Sequence, residues 1–197
     1  MLVELWQKYN KLEEKVEELN KGVVKKKKKI NIIEWLNGNI SPNILFDYII
    51  DKIIVNEDDI KNLLENSFND VLNDIFVRTI YNFNENNNPL FAFVQKANVF
   101  YIYDLVDDKN IWVELPREKL VKFLNKIQMK ILKVFYDFKQ ANAIDIKSSD
   151  SYSIKCDKAF VKIMSVEFKQ ESMLSKVRSM MFVKMKTDIK ALVEFEF

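Results

Sequence analysis

No histidine occurs among the 197 residues, and there are only two glycines, three prolines and one cysteine. Without His there is no Ser-His-Asp or Cys-His nucleophile, no imidazole acid–base group and no His-containing zinc site. With only Gly22 and Gly38, neither a phosphate-cradling Walker loop nor a dinucleotide fingerprint can be assembled. Cys156 stands alone, which excludes an intramolecular disulfide and a four-cysteine metal site. It has two readings: a thiol with a modestly lowered pKa between Lys155 and Asp157, or a partly buried small side chain. No window is apolar enough for a membrane-spanning helix, and Leu2-Val3 run straight into Glu4 where a signal peptide would continue. These absences point to an intracellular, soluble protein or one packaged inside a cytoplasmically made particle, with no catalytic residues, metal or cofactor.

What is present is a chain that is 48% hydrophobic, with length for one domain plus an extension. The net charge of +2 is unevenly spread. Residues 1–29 carry nine Lys and five Glu, residues 30–110 five basic and thirteen acidic groups, and residues 111–197 seventeen basic and eleven acidic groups. An acidic middle and a basic C-terminal part can complement each other within a chain or between copies, or face different partners.

Leu2, Leu5, Tyr9, Leu12, Val16, Leu19 and Val23 alternate in steps of three and four, which is a heptad with Leu5, Leu12 and Leu19 at d. Residues 1–29 are thus an amphipathic helical extension ending in the lysine run Lys25, Lys26, Lys27, Lys28 and Lys29. In a parallel pair of helices Lys8 of one chain would approach Glu13 of the other, making Leu5, Tyr9, Leu12, Val16 and Leu19 the candidate oligomerisation residues. The other reading packs this helix on its own domain. The lysine run is a solvated linker or a phosphate-contacting patch.

Residues 30–197 read as a single mainly helical domain with a small antiparallel β-hairpin or sheet at about 90–115, an α+β fold. Ile30 to Leu36 form a dense apolar cluster expected to dock as a short helix ending at Asn37-Gly38-Asn39. Ser41-Pro42 predict a helix running to about Val55. Asn56 caps a second, with Glu57, Asp58 and Asp59 in its first turn, extending to about Tyr81 before the Asn-rich loop that ends at Pro89. Leu90 to Gln95, Val99 to Asp104 and Ile111 to Leu115 are short aromatic-rich strands, with a turn at Asp107-Asp108-Lys109-Asn110. Their aromatics, Phe91, Phe93, Phe100, Tyr101, Tyr103 and Trp112, have two readings, a base-stacking platform or a face buried beneath helices.

Glu118 to Ala141 should form the longest helix, with Lys119, Lys122, Lys126, Lys130 and Lys133 in one stripe. The stripe is either a solvated face or a footprint for phosphates or an acidic partner. Ser148-Ser149-Asp150 cap a helix over about 151–166, and the last helix should run from about Ser172 to Leu192 with a Met-rich face. Val193-Glu194-Phe195-Glu196-Phe197 alternate as a strand does, expected docked or bound to a neighbouring subunit. Asp58/Asp59 and Asp107/Asp108 are adjacent carboxylates that do not converge on one ion.

The order of features resembles an uncharacterised domain of nucleocytoplasmic large DNA viruses of the mimivirus and iridovirus sort. The matching residues, spread over roughly 55–190, begin with Asn69-Asp70-Val71, Pro89, Phe100-Tyr101-Ile102-Tyr103-Asp104 and Lys109-Asn110-Ile111-Trp112. They continue with Leu120, Ile127 and Ile131, then Lys176-Val177 and Lys186. Relatives carry a Cys or His and a Lys-Arg pair soon after the proline. Here Leu90-Phe91-Ala92-Phe93-Val94-Gln95-Lys96 stand there, so a site built on those residues is absent. The resemblance implies a viral, late or virion-associated accessory protein, and it implies no reaction. With the heptads and the opposed charges, the expectation is a non-enzymatic structural or interaction protein in a virion or a viral factory of the host cytoplasm, with other viral proteins and itself as partners. Nucleic-acid binding through Lys25–Lys29 and the Lys119–Lys133 stripe is the alternative.

Overall fold

The computed structural model describes residues 6, 8–17, 31–83 and 87–189. The chain divides into two units, 1–32 and 33–197. In the first, residues 8–17 are helical. The second is built from α1 (Ile32–Asn39, whose first residue closes the first unit), a 3-10 turn (Phe46–Tyr48), α2 (Ile49–Lys52), α3 (Glu57–Glu65) and α4 (Phe68–Tyr81). Strands β1 (Leu90–Phe93), β2 (Phe100–Val106) and β3 (Lys109–Glu114) follow, then α5 (Arg117–Ala141), α6 (Ala143–Ser148), α7 (Asp150–Met164), α8 (Glu171–Met185) and β4 (Lys186–Thr187). The fold is mainly α with a small sheet.

The helix starts follow from local chemistry. Asn56 accepts the Asp59 N–H while the Asp59 carboxylate accepts the Asn56 N–H, a reciprocal capping box before α3. Ser67 caps α4 through the Asp70 N–H, and Ser149 caps α7 through the Tyr152 N–H. Three expectations about helices are corrected. Ser41-Pro42 do not start a helix; the chain turns helical only at Phe46 and leaves the helix at Ile53, which is extended. The helix expected from Asn56 to Tyr81 is two helices, because Ser67 adopts extended backbone and caps a new one. The last helix stops at Met185, where Lys186 turns extended and enters β4.

β4 also corrects the purely antiparallel sheet. The order is β3-β2-β1-β4, with β1–β2 and β2–β3 antiparallel and β4 parallel to β1. The β2–β3 turn places Asp107 and Asp108 both at positive φ, 49° and 60°, the twist that two-residue hairpin turns need.

Side chains alternate across the sheet. Leu90, Ala92, Phe100 and Ile102 belong to the main core with α4, α5, α7 and α8. Phe91, Phe93, Tyr101, Tyr103 and Trp112 form the opposite face, where the Phe91 and Trp112 rings lie 5.5 Å apart and Tyr103 and Trp112 also 5.5 Å. Helix α1 lies against that face: Trp35 meets the edge of Phe93 at 6.5 Å, and the buried Trp112 indole donates to the Ile40 carbonyl at 2.7 Å. Asn37 then pairs with the free edge of β3, accepting the Trp112 N–H at 2.8 Å and donating to its carbonyl at 3.4 Å. One side chain thereby supplies the hydrogen bonds of a missing strand. Both faces are covered, so the base-stacking platform is excluded: Phe91, Phe93, Phe100, Tyr101 and Trp112 are buried.

Candidate functional site

The helical segment over 8–17 sets three of the five candidate oligomerisation residues on its surface. Tyr9, Leu12 and Val16 are 64%, 66% and 50% exposed, and Trp6 is exposed as well. Lys8, Glu13 and Lys15, the charged neighbours of this stripe, are also exposed. The apolar row keeps its three–four spacing on this helix, with charged residues on its flanks. Leu5, Leu19, the run Lys25 to Lys29 and the alternating residues 193–197 lie outside the described residues.

The lysine stripe of α5 is divided in two. The Lys119 ammonium pairs with Asp104 and lies 3.3 Å from Asp47. Lys130 donates to the carbonyls of Ile50 and Ile53 at 2.5 and 3.0 Å, closing the C-terminal end of α2. These two correct the five-residue footprint, because both ammonium groups are engaged inside the domain, each with two partners. Lys122, Lys126 and Lys133 remain exposed. The same use of cations recurs on α7, where Lys162 donates to the carbonyls of Leu63 and Asn66 at the end of α3, at 2.8 and 2.7 Å. Carbonyls at a helix C-terminus carry the negative end of the dipole, so a lysine from a neighbouring helix both neutralises and hydrogen-bonds them.

The groups of chemical interest have structural partners. The Asp59 carboxylate is buried and gripped by Arg78, while Asp58 is exposed and within 3.7 Å of Lys61. Hydrogen bonding to Asp59 raises the Arg78 pKa further. Asp107 and Asp108 form the hairpin turn. Cys156 is fully buried, and burial pushes its thiol pKa up, with Asp157 adding to the rise and Lys139 opposing it; the reading as a lowered-pKa thiol is excluded. A cavity of about 270 Å³ opens between the end of α4, β1 and the α8–β4 junction. Its floor is apolar, with Ile80, Leu90, Phe91 and Met185, and Lys184 and Lys186 stand in its wall. Among the described residues no group of three or more His, Cys, Asp or Glu side chains is placed to hold a metal, and no helix is long and apolar enough to cross a membrane.

Met129, Tyr136, Val161 and Met164 were not legible as a surface. They are large, apolar and exposed, on α5 and α7. The available signal was their spacing: Met129 and Tyr136 are seven apart and fall beside, not on, the core stripe of α5. No family model, no curated protein and no solved structure matches the chain.

Proposed function

We propose that this is a non-enzymatic interaction protein that associates with a second copy of itself through the N-terminal helix. One observation carries the reading: Tyr9, Leu12 and Val16 stand exposed in a row on a helix. The flanks favour a parallel pair, because Lys8 at g meets Glu13 at e of the partner helix. The surrounding chemistry supports contact over catalysis, since the acids and the thiol singled out for chemistry are engaged in capping, pairing and packing. The setting we propose is a virion or a viral factory in the host cytoplasm, with other viral proteins as partners. That part rests on the resemblance carried by Pro89, Trp112 and the residues between and around them.

Sedimentation over a range of concentrations tests the association. Wild type should shift from monomer to dimer or larger as concentration rises, and Leu12→Asp with Val16→Asp should hold it monomeric. A wild-type chain that stays monomeric throughout rejects the reading.

The nucleic-acid alternative draws support from Lys122, Lys126 and Lys133, which are exposed on one helix face. It requires retention on DNA or RNA that falls steeply with salt as counterions are released. The spent ammonium groups of Lys119 and Lys130 leave it the weaker of the two.

A further inference from the structure

We propose that the groove between α5 and α7 is a second docking site, for an acidic amphipathic helix of a partner protein. The register of the two helices is fixed along their length. At one end Gln128 donates to the carbonyls of Ile163 and Val166 at 2.6 and 3.2 Å; in the middle the Tyr136 and Phe160 rings lie 6.2 Å apart; at the other end Lys139 pairs with Asp157 at 3.6 Å. The helices are therefore antiparallel neighbours. Met129 adjoins Gln128, and Met164 adjoins Ile163, so both sit at the same end of the pair.

The side chains along this groove are apolar and uncovered. Met129 is 62% exposed, Tyr136 49%, Val161 61% and Met164 53%, with Phe160 half-buried between them. Scattered apolar residues on a surface need no explanation, whereas four large ones on one two-helix face mark a contact surface. From Met129 to Tyr136 the groove runs about 10 Å, two helical turns, which is the span of an i, i+3 or i+4, i+7 set of anchors. The two methionines give it a surface that can adapt to the anchors it receives.

Charge selects the occupant. Lys122, Lys126 and Lys133 stand on the outer flank of α5, and Lys158 on that of α7, all exposed. Asp137 is the acidic exception beside the α5 lysines, and Asp157 is held by Lys139. An apolar strip with three ammonium groups on one flank and one on the other complements a helix with an apolar stripe bordered by carboxylates. A phosphate backbone would leave the Met, Val and Tyr side chains without partners, since nucleic-acid interfaces are polar and basic throughout. An anionic bilayer also attracts apolar residues bordered by lysines, and the vesicle arm of the experiment separates it from a helix.

The experiment uses the full chain and two synthetic helices with the same leucine stripe, one flanked by glutamates and one by lysines. Binding is followed by fluorescence anisotropy at near-physiological salt. The glutamate helix should bind at least about tenfold more tightly than the lysine helix. Val161→Asp with Met164→Asp should abolish that binding, and Lys122→Glu with Lys126→Glu and Lys133→Glu should reverse the preference. Both variants replace exposed residues, and an unchanged melting temperature shows that they fold. Sedimentation of the Val161→Asp, Met164→Asp variant should match wild type, which separates this groove from the association of N-terminal helices. Equal binding of the two helices, binding that survives Val161→Asp with Met164→Asp, or no binding overturns the proposal. So does binding only to single-stranded DNA or phosphatidylserine vesicles, or loss of self-association in the groove variant, which would make a second copy the occupant.

Discussion

The Arg78 guanidinium grips both oxygens of the Asp59 carboxylate, at 3.1 and 2.8 Å, while that carboxylate also accepts the Asn56 N–H at 2.9 Å. Arg78 donates once more to the Ile54 carbonyl at 2.9 Å. One side chain of α4 thus ties down the start of α3 and the extended residues before it. Arg78→Met leaves a buried carboxylate with its cap intact but its counter-charge gone. Because the guanidinium is partly exposed, the loss should be about 2 kcal/mol, below that of a fully buried pair, read from the urea midpoint. Adding Asp59→Asn should restore part of it, giving a measurable coupling in the double-mutant cycle.

Asn37→Ala removes both hydrogen bonds that close the edge of β3. The Trp112 N–H is then without its partner, and stability should fall by about 1–2 kcal/mol. Light scattering of the unheated protein should rise as well, because an uncovered strand edge is a template for another chain.

Asp108→Gly should stabilise the chain. Asp108 holds φ at 60°, a left-handed conformation that glycine adopts without the Cβ penalty. A gain of about 0.5–1 kcal/mol in chemical denaturation is expected.

Alkali should destabilise the fold in two stages. Burial raises the Cys156 thiol above its ordinary 9.0 and the Tyr101 phenol above its ordinary 10.0. Each acid holds its proton more tightly when folded. The stability is therefore whole below the unfolded value and is lost as pH rises above it towards the folded one. Melting temperatures should begin to drop near pH 9; Cys156→Ala should remove the first part of that drop and Tyr101→Phe part of the second, to which the Tyr152 phenol, also raised by burial, contributes. A thiol reagent at neutral pH should label Cys156 at the rate of opening.

The divided lysine stripe can be tested through stability alone. Lys130→Met removes a donor from two carbonyls at the end of α2, of which that of Ile50 keeps the Ile53 N–H, and should destabilise by about 1 kcal/mol. Lys126→Met, on the same face but exposed, should change stability by less than about 0.5 kcal/mol.

Sequence periodicity and capping chemistry were enough to place most of the regular structure. Asn56 with Asp59 and Ser149 with Asp150 are local signals, and the alternation in β1 to β3 marks two sheet faces within a few residues. What escaped depends on partners far along the chain. Helix α2 ends where Lys130, 80 residues away, takes the Ile50 carbonyl. The break at Ser67 is hidden because Leu63, Leu64, Phe68 and Val71 keep the helical period across it. Lys186 and Thr187 have no pattern of their own, and become a strand only because β1 offers an edge. Among the candidate site residues, Tyr9, Leu12 and Val16 lie on a helix, as their spacing predicts, and share their exposure with every residue over 8–17. The fates of Lys119 and Lys130 were not legible, since an amphipathic pattern shows which face a lysine occupies and not whether a neighbouring helix needs its donors.

The parallel pairing of β1 with β4 has a consequence for the order of synthesis. Residue 92 pairs with residue 186, so β1 gains its second neighbour only after residue 186 has left the ribosome. Until then a strand of Leu, Phe, Ala and Phe waits with one edge open. Non-local closure of this kind is slow, and an open apolar edge is a hazard while it lasts. A nascent chain stalled before Lys186 should therefore recruit chaperones that the finished protein does not.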